Sequence, residues 1–520
     1  VNDAAEGIAA AAAPGLAPAE AASAADAAAA GPPAASKREI RRAMAGLMTV
    51  LALASLDGNI VGPALPRIVS DLGGLSHLSW VVTAFAVAST ASTPLYGKLS
   101  DQFGRRPAFG VSIGVFLIGS VLCGASHSMI ALIASRALQG AGAGGLLTLS
   151  QTTIADLVSP RERGRYQGQM AGVFALCSVA GPLLGGVITD TLSWPWIFYI
   201  NLPIGAAALA ILAVSLRRGG GRPGRGVDWT GFGLLIGGTC ALLLLLSWGG
   251  AVYPWRSAPI LALGAATLLL FGLLVPVERQ AREPALPPHL FTNRVFVTGV
   301  ATISLTAASL FGALVFIPLF FQLVLGASAT EAGLRMAPLM GGIIVSSLVG
   351  GRLVTRTGKY KRFPVIGLAV GTLAYAAMAY ATWHGTSATL FDALLTVLGL
   401  GIGLIMPNIT TAVQNAVVPA NMGVATSTLG FFRSLGGALG VAVAGMILSV
   451  SLRAGPPGAG AASQLGLSQV AGLPPSVRAD VLHAYSQALA LTFAAAAIVT
   501  ALAFGTVLLM PERPLRSNKA

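Results

Sequence analysis

Two ionisable residues stand inside long apolar stretches of this chain. They are the first places to look for chemistry. Asp57 follows fourteen residues of a run that opens near Ala43, about 21 Å along a helix at 1.5 Å per residue. A carboxylate at that depth in a bilayer costs about 2.5–3.5 kcal/mol even on the mildest insertion scale. Burial favours its neutral form, so a carboxyl that is alternately sealed and wetted can take up a proton on one side and release it on the other. The rival role is a static salt bridge between helices. Arg136 opens a face with Gly140 and Gly144 at spacing four, where missing side chains let another helix approach. It is the natural electrostatic partner, unless it only snorkels toward the outer face. The remaining candidates are weaker. Glu331 has capping-box spacing from Ser328 and i,i+4 spacing to Arg335, so a helix cap is the first expectation and cation recognition the second. Gln139, Asn408, Gln414 and Arg433 are polar residues inside apolar runs and are candidates for a substrate cavity. Phe311, Phe316, Phe320 and Phe321 are candidates for its apolar wall. Asp156 is expected to pair with Arg161 or Arg163.

The elements that must position these residues are membrane helices. Of 520 residues only 10% are charged, against ~25% in an ordinary soluble protein, and mean hydropathy is +0.77. So few charges cannot cover a soluble surface, which excludes a cytosolic enzyme and a disordered chain alike. Apolar runs of spanning length are expected at roughly 43–66, 78–97, 108–126, 129–156, 166–189, 197–216, 228–249, 257–277, 295–323, 331–352, 364–383, 388–417, 422–451 and 482–510. With loops alternating from an inside N-terminus, inside segments carry 25 Lys and Arg and outside loops four. The bias supports fourteen spans with both ends in the cytoplasm. It also accounts for the net charge of +14 without nucleic acid. Arg outnumbers Lys 27 to 5, which fits a GC-rich bacterial source and hence a bacterial inner membrane. Cys123, Cys177 and Cys240 lie in separate apolar runs, so no disulfide or metal site is expected. No phosphate-binding loop with a following Lys-Ser/Thr occurs and no catalytic triad is evident, so neither ATP hydrolysis nor another enzymatic activity is expected, and no cofactor. The work must come from an ion gradient.

An internal repeat organises the spans. Gly97-Lys98-Leu99-Ser100-Asp101-Gln102-Phe103-Gly104-Arg105 recurs as Gly351-Arg352-Leu353-Val354-Thr355-Arg356-Thr357-Gly358-Lys359, with Thr355 in place of the acid. The expected plan is a disordered cytoplasmic tail at 1–42, a six-helix bundle at 43–216 and a linker with two extra membrane helices at 217–294. A second six-helix bundle at 295–510 and a tail at 511–520 complete it. The stretch at 452–481 is expected to be a flexible outer loop.

Four motifs now make the chain resemble the major facilitator superfamily, and within it the fourteen-spanner drug:H+ antiporters of the EmrB/QacA type. They are Leu56-Asp57-Gly58-Asn59-Ile60-Val61 with Ala64-Leu65-Pro66, where the family usually has Thr at Asn59, and the loop from Gly97 to Arg106. The others are Arg136-Ala137-Leu138-Gln139-Gly140 with Gly142 and Gly144, and Gly172 with Gly181-Pro182-Leu183-Leu184-Gly185-Gly186. Trp194-Pro195-Trp196 through Asn201, and Phe431-Phe432-Arg433-Ser434-Leu435-Gly436-Gly437, also resemble family segments. The resemblance implies an all-α polytopic membrane protein, two six-helix bundles plus two inserted helices, that works by alternating access. It implies proton-coupled export of amphipathic, often cationic, drug-like molecules, with proton relay through Asp57 and Arg136. It assigns gating to Gly97, Asp101, Gly104, Arg105 and Arg106, with Asp101 capping a helix of the other half near Asn421-Met422-Gly423. It links Gly172, Gly181, Pro182, Gly185 and Gly186 to antiport, through a kinked, flat helix packed on the other half. Its implied partners are the substrate, protons, the lipid bilayer and, in some members, a periplasmic adaptor protein. A dedicated exporter of one metabolite, siderophore or lipid-like compound would use the same helices. Uptake by symport and a non-transporting receptor are the remaining alternatives.

Overall fold

The computed structural model describes residues 36–73, 78–216, 228–250, 252–281, 283–385, 387–453 and 474–515. Most of the expected N-terminal tail and outer loop lie outside the described residues. Lys37–Arg42, assigned above to the tail, are instead the first turns of helix α1, Lys37–Leu72. Ser36 accepts from the Glu39 amide and the Glu39 carboxylate accepts from the Ser36 amide, a reciprocal cap that starts the helix ahead of the apolar run.

The helices that follow are α2 (Leu78–Phe103), α3 (Arg105–Gly124), α4 (Met129–Leu157), α5 (Pro160–Thr191), α6 (Asn201–Ser215), α7 (Trp229–Trp248) and α8 (Ala258–Gln280). Then come α9 (Arg294–Leu314), α10 (Ala337–Thr357), α11 (Arg362–His384), α12 (Ala388–Gly403), α13 (Met406–Ala416), α14 (Met422–Arg453) and α15 (Pro475–Leu508). Among the described residues, thirteen helical segments are long and apolar enough to cross a membrane, with α12 and α13 forming one of them. Helix α2, richer in Ser and Thr, packs among them as a further long helix of 26 residues.

Breaks in the helices follow the prolines, which lack an N–H and clash with the preceding turn. Pro407 opens α13 after the break from α12, and Pro318 follows the end of α9, where a short π-helical turn at Phe320–Val324 takes over. Two large apolar cores stand out among the described residues. One joins α1, α3, α4 and α6 around Leu47, Phe109, Phe116 and Leu146. The other joins α9 to α15 around Phe320, Phe391, Leu398 and Phe493. Phe320 and Phe321, expected on a cavity wall, are buried in this second core, with the Phe320 ring stacked 4.3 Å from Phe391. Helices α7 and α8 pair with each other, and α7 also leans on α2 and α14. Trp80 meets Trp248 edge-on at 5.0 Å.

Two seams join the bundles, α2 against α14 and α5 against α10. Each is closed at a glycine of the sequence repeat. A Cβ on Gly97 would lie 2.6 Å from the Gly423 carbonyl oxygen, and one on Gly351 would overlap the Gly164 carbonyl. The second glycine of each copy also has one role. Gly104 and Gly358 take φ of 92° and 69°, a backbone region L side chains avoid, where the chain turns out of α2 and α10. The repeat thus marks equivalent places in the two halves.

Candidate functional site

Asp57 is fully buried and carries three hydrogen-bonding neighbours rather than one. Arg136 Nη1 donates to its Oδ2 at 2.9 Å. Gln139 Nε2 and Asn201 Nδ2 each donate to its Oδ1 at 2.8 Å. Ser120 joins behind them, accepting from Gln139 at 2.8 Å and from Asn201 at 3.4 Å. The guanidinium is held from other sides as well. It donates to the Val81 carbonyl at 3.2 Å and to Gln139 Oε1 at 2.6 Å, and lies 4.1 Å over the Phe85 ring. Four helices therefore converge on one carboxylate: α1, α3, α4 and α6. The approach of α2 that brings Phe85 and Val81 depends on α4 glycines. A Cβ at Gly140 would overlap the Phe85 carbonyl, and one at Gly144 that of Ser89.

Such a cluster is charge-balanced and buried. A buried ion pair is not in itself stabilising, but removing one partner strands the other, at about 3–5 kcal/mol. Protonation of Asp57 would remove one charge without removing an atom. Arg136 would lose its ionic partner, and the cluster would have to open or rearrange. Arg136 is 2% exposed, which rules out the snorkelling alternative.

Gln139, expected at a substrate cavity, belongs instead to this cluster. It is three residues from Arg136 on α4, so one helical face delivers both to Asp57. Asn201 and Ser120 were missed as site residues. Asn201 is a buried amide opening an apolar helix, and that was the available signal. Replacing Asn201 with Leu removes one donor from the carboxylate and is expected to lower pH-driven transport about tenfold with normal membrane insertion. Initial rates in vesicles, normalised to protein inserted, check this.

A second constellation lies at one end of the seam between α2 and α14. Asp101 accepts from the Gly423 amide at 3.0 Å and the Val424 amide at 2.9 Å, the first turn of α14, where unpaired N–H groups and the helix dipole favour an anion. Arg105 ties this acid to Asp156, donating to them at 2.8 and 2.7 Å, and also contacts Ser100. Asp156 thus pairs with Arg105, where its sequence neighbourhood suggested Arg161 or Arg163; the side chain of Arg161 lies outside the described residues. Buried Arg163 instead donates to the Ala155 carbonyl at 2.7 Å. Arg106 forms no salt bridge with a described residue, so the network is built on Arg105 alone. Lys98, nearly buried, pairs with Glu283 from the segment after α8 and so ties the inserted helices to the Asp101 end of α2.

The α5 glycines are divided. A Cβ at Gly181 would lie 2.7 Å from Asn59 Cβ, and one at Gly185 would overlap the Ile60 carbonyl. Both pack α5 against α1 of the same half, two and three residues beyond Asp57, rather than against the other half as expected. Gly172 and Gly186 face open space, and Pro182 is exposed within the helix. The contact of α5 with the other half is made by Gly164 and Gly168 on α10.

The remaining cavity candidates separate similarly. Glu331 is at an exposed helix start, capped by Ser328 and paired at 2.8 Å with Arg335, which also holds Asp392 at 2.6 Å. It is therefore part of a surface ion triad, because its capping geometry holds it at the helix end. Asn408 is buried and donates to the Leu404 carbonyl of its own chain turn. Gln414 lies between the halves, with Nε2 3.2 Å from Thr426 and 3.5 Å from the Gln151 carbonyl. Arg433 is half-buried on α14 and is engaged by no described residue. No group of three or more metal-ligating side chains occurs among the described residues.

Comparison with known proteins agrees with this architecture. The Major Facilitator Superfamily profile matches residues 47–228 and 229–441. An uncharacterized MFS-type transporter of Mycobacterium tuberculosis is 39% identical over 472 residues, covering 89% of this chain and 68% of that protein. The multidrug transporter protein MdtP of Bacillus subtilis is 38% identical over 417 residues, covering 80% and 76%. Multidrug resistance protein 3 of the same organism is 34% identical over 503 residues, covering 93% and 98%. In structure, the chain is similar to the human organic anion transporter MFSD10 (TETRAN), with a TM-score of 0.62, 18% identity, and 92% and 100% of the two chains covered, a likeness of fold. With nearly all-helical bundles, paired seams and matches along most of its length, this chain belongs to the Major Facilitator Superfamily and is a multi-pass membrane transporter, not an enzyme.

Proposed function

We propose that this protein exports amphipathic organic compounds across a bacterial inner membrane in exchange for protons, by alternating access between its two halves. The observation that carries the coupling is the sealed cluster of Asp57 with Arg136, Gln139 and Asn201. Among the described residues Asp57 is the one carboxyl deep within a membrane helix, and its bonds span α1, α4 and α6. A proton arriving there breaks an ion pair that holds those helices in register, so proton occupancy biases the arrangement of the first half. The export direction follows the relatives named multidrug transporter protein and multidrug resistance protein. The orientation follows the charge bias, which assigns the Asp101 end and both termini to the cytoplasm. In that orientation both seams are closed inside, and the Asp101 contact with α14 is the latch of the outward-facing state. Substrate would bind in the space between the halves and be released outward, with protonation of Asp57 driving the return. One charge moved through 100 mV supplies about 2.3 kcal/mol, to which a pH difference adds.

The test is proton release from everted vesicles followed by a pH-gradient dye, with a panel of amphipathic compounds as acids, cations and neutrals. Substrate-dependent release that is absent from vesicles lacking the protein is expected. Transport that proceeds without any proton movement, or that is driven equally without a gradient, would remove the antiport reading and leave a facilitator.

A further inference from the structure

The interior of the membrane region holds an unbalanced positive charge. Of the 18 acidic residues of the chain, those among the described residues can be placed, and of these Asp57 alone lies deep within a span. Its charge is used by Arg136. Asp101 and Asp156 are used by Arg105 at one end of the seam, and Glu331 and Asp392 by Arg335 at a helix end. Arg433 remains. It is eleven residues into α14, about 16 Å from the start of that helix. It is half-buried and makes no hydrogen bond or ion pair with any described residue.

Its direction follows from its neighbours on α14. Positions three to four or seven residues apart share a helical face. Seven residues before Arg433, Thr426 accepts from Gln414, which reaches Gln151 of the first half. Three before, a Cβ on Gly430 would meet Thr148 and Thr93, again of the first half. Four after, a Cβ on Gly437 would lie 2.9 Å from the ring of Phe311 on α9. Arg433 therefore faces the space between α2 and α4 on one side and α9 on the other, where the two halves meet. Phe311 is itself 36% exposed and stands one turn further along. A half-buried guanidinium with no acceptor among the described residues, one turn from an exposed aromatic ring, suits an amphipathic anion.

We propose that Arg433 recognises an acidic group, a carboxylate, sulfonate or phosphate ester, on the transported amphiphile, with Phe311 against its apolar part. This rests on the transport reading above and sharpens its substrate class. A lipophilic cation, the substrate class implied by the family resemblance, would meet an uncompensated positive charge in the same space.

The test compares two probes that differ in one charge, a rhodamine with a free carboxylate and the methyl ester of the same dye. Binding to the purified full-length protein is read by fluorescence anisotropy without a pH gradient. Accumulation in proteoliposomes is then read with one. The free acid is expected to bind more tightly than the ester. In Arg433→Gln its affinity should fall about tenfold or more while that of the ester is unchanged or improves. Arg433→Lys, which keeps the charge but loses the planar fork, should recover part of the difference. Equal affinity of the wild type for acid and ester, or an equal loss of both in Arg433→Gln, would overturn the proposal, as would tighter binding of the ester. Arg433-dependent binding of the acid without pH-driven accumulation would uphold the site and count against proton-coupled export instead.

Discussion

Asp57→Asn is expected to reduce proton-driven exchange to the rate of empty vesicles while the protein still inserts and still binds substrate. The substitution keeps the shape and one oxygen acceptor, so Gln139 or Asn201 retains a partner. What it removes is the titratable charge. Arg136 is then buried with only the Gln139 side chain and the Val81 carbonyl as acceptors. Loss of the carboxylate charge should therefore also lower thermal stability, by less than the ~3–5 kcal/mol of a fully stranded buried charge. The double variant Asp57→Asn with Arg136→Gln separates the two effects. Removing both charges should restore stability and leave exchange absent. If the single variant still releases protons on addition of substrate, the coupling site lies elsewhere and the cluster is structural. Rates are to be read by pH-dye dequenching and stability by thermal unfolding in the same detergent.

Gly97→Val should be the next most damaging change, by a different route. Even a Cβ at this position would lie 2.5 Å from Ser427 Cβ and 2.6 Å from the Gly423 carbonyl oxygen. Backbone atoms cannot give by that much without moving α14, so the α2–α14 seam cannot close and the Asp101 latch cannot reach its amides. The protein should then remain open at the Asp101 end and transport should stop, with folding of each half preserved. Gln414, 1% exposed between the halves, offers the readout. A Gln414→Cys reporter, with the three native cysteines replaced by Ala, should be protected from a maleimide in the parent and labelled in Gly97→Val. The control is Gly172→Val, where a Cβ meets nothing within 4 Å and no labelling is expected. A protected reporter together with intact transport in Gly97→Val would show that this contact is not a moving joint.

How much of this was legible beforehand differs from residue to residue. The membrane helices and the repeat were legible because each is written locally. Twenty apolar residues must form a helix in lipid to satisfy their own backbone, whatever else surrounds them. The depth of Asp57 and the capping of Glu331 by Ser328 are local in the same sense. The Asp101 contact with the start of α14 was foreseen only through the family resemblance, since 322 residues separate its partners.

Whatever depended on which helix faces which was decided by the tertiary structure. Gln139 was read as a cavity residue because a polar side chain in a span must find a partner. Periodicity does not say whether that partner is substrate or protein, and packing of α1, α3, α4 and α6 made it Asp57. Asn201 and Ser120 entered the site for the same reason, from helices whose own sequences are otherwise apolar. Gly181 and Gly185 announced a close helix approach, but a missing side chain does not name its neighbour, and the neighbour is α1. Asp156 had nearby arginines in sequence and chose Arg105, 51 residues away, because the α4 end and the α3 start meet there. Sequence alone determined that this chain crosses a membrane many times and carries one deep acid. Only the packed structure determined that the acid is fully engaged and that Arg433 is not, because a charge balance is a property of what lies within a few ångströms in space rather than along the chain.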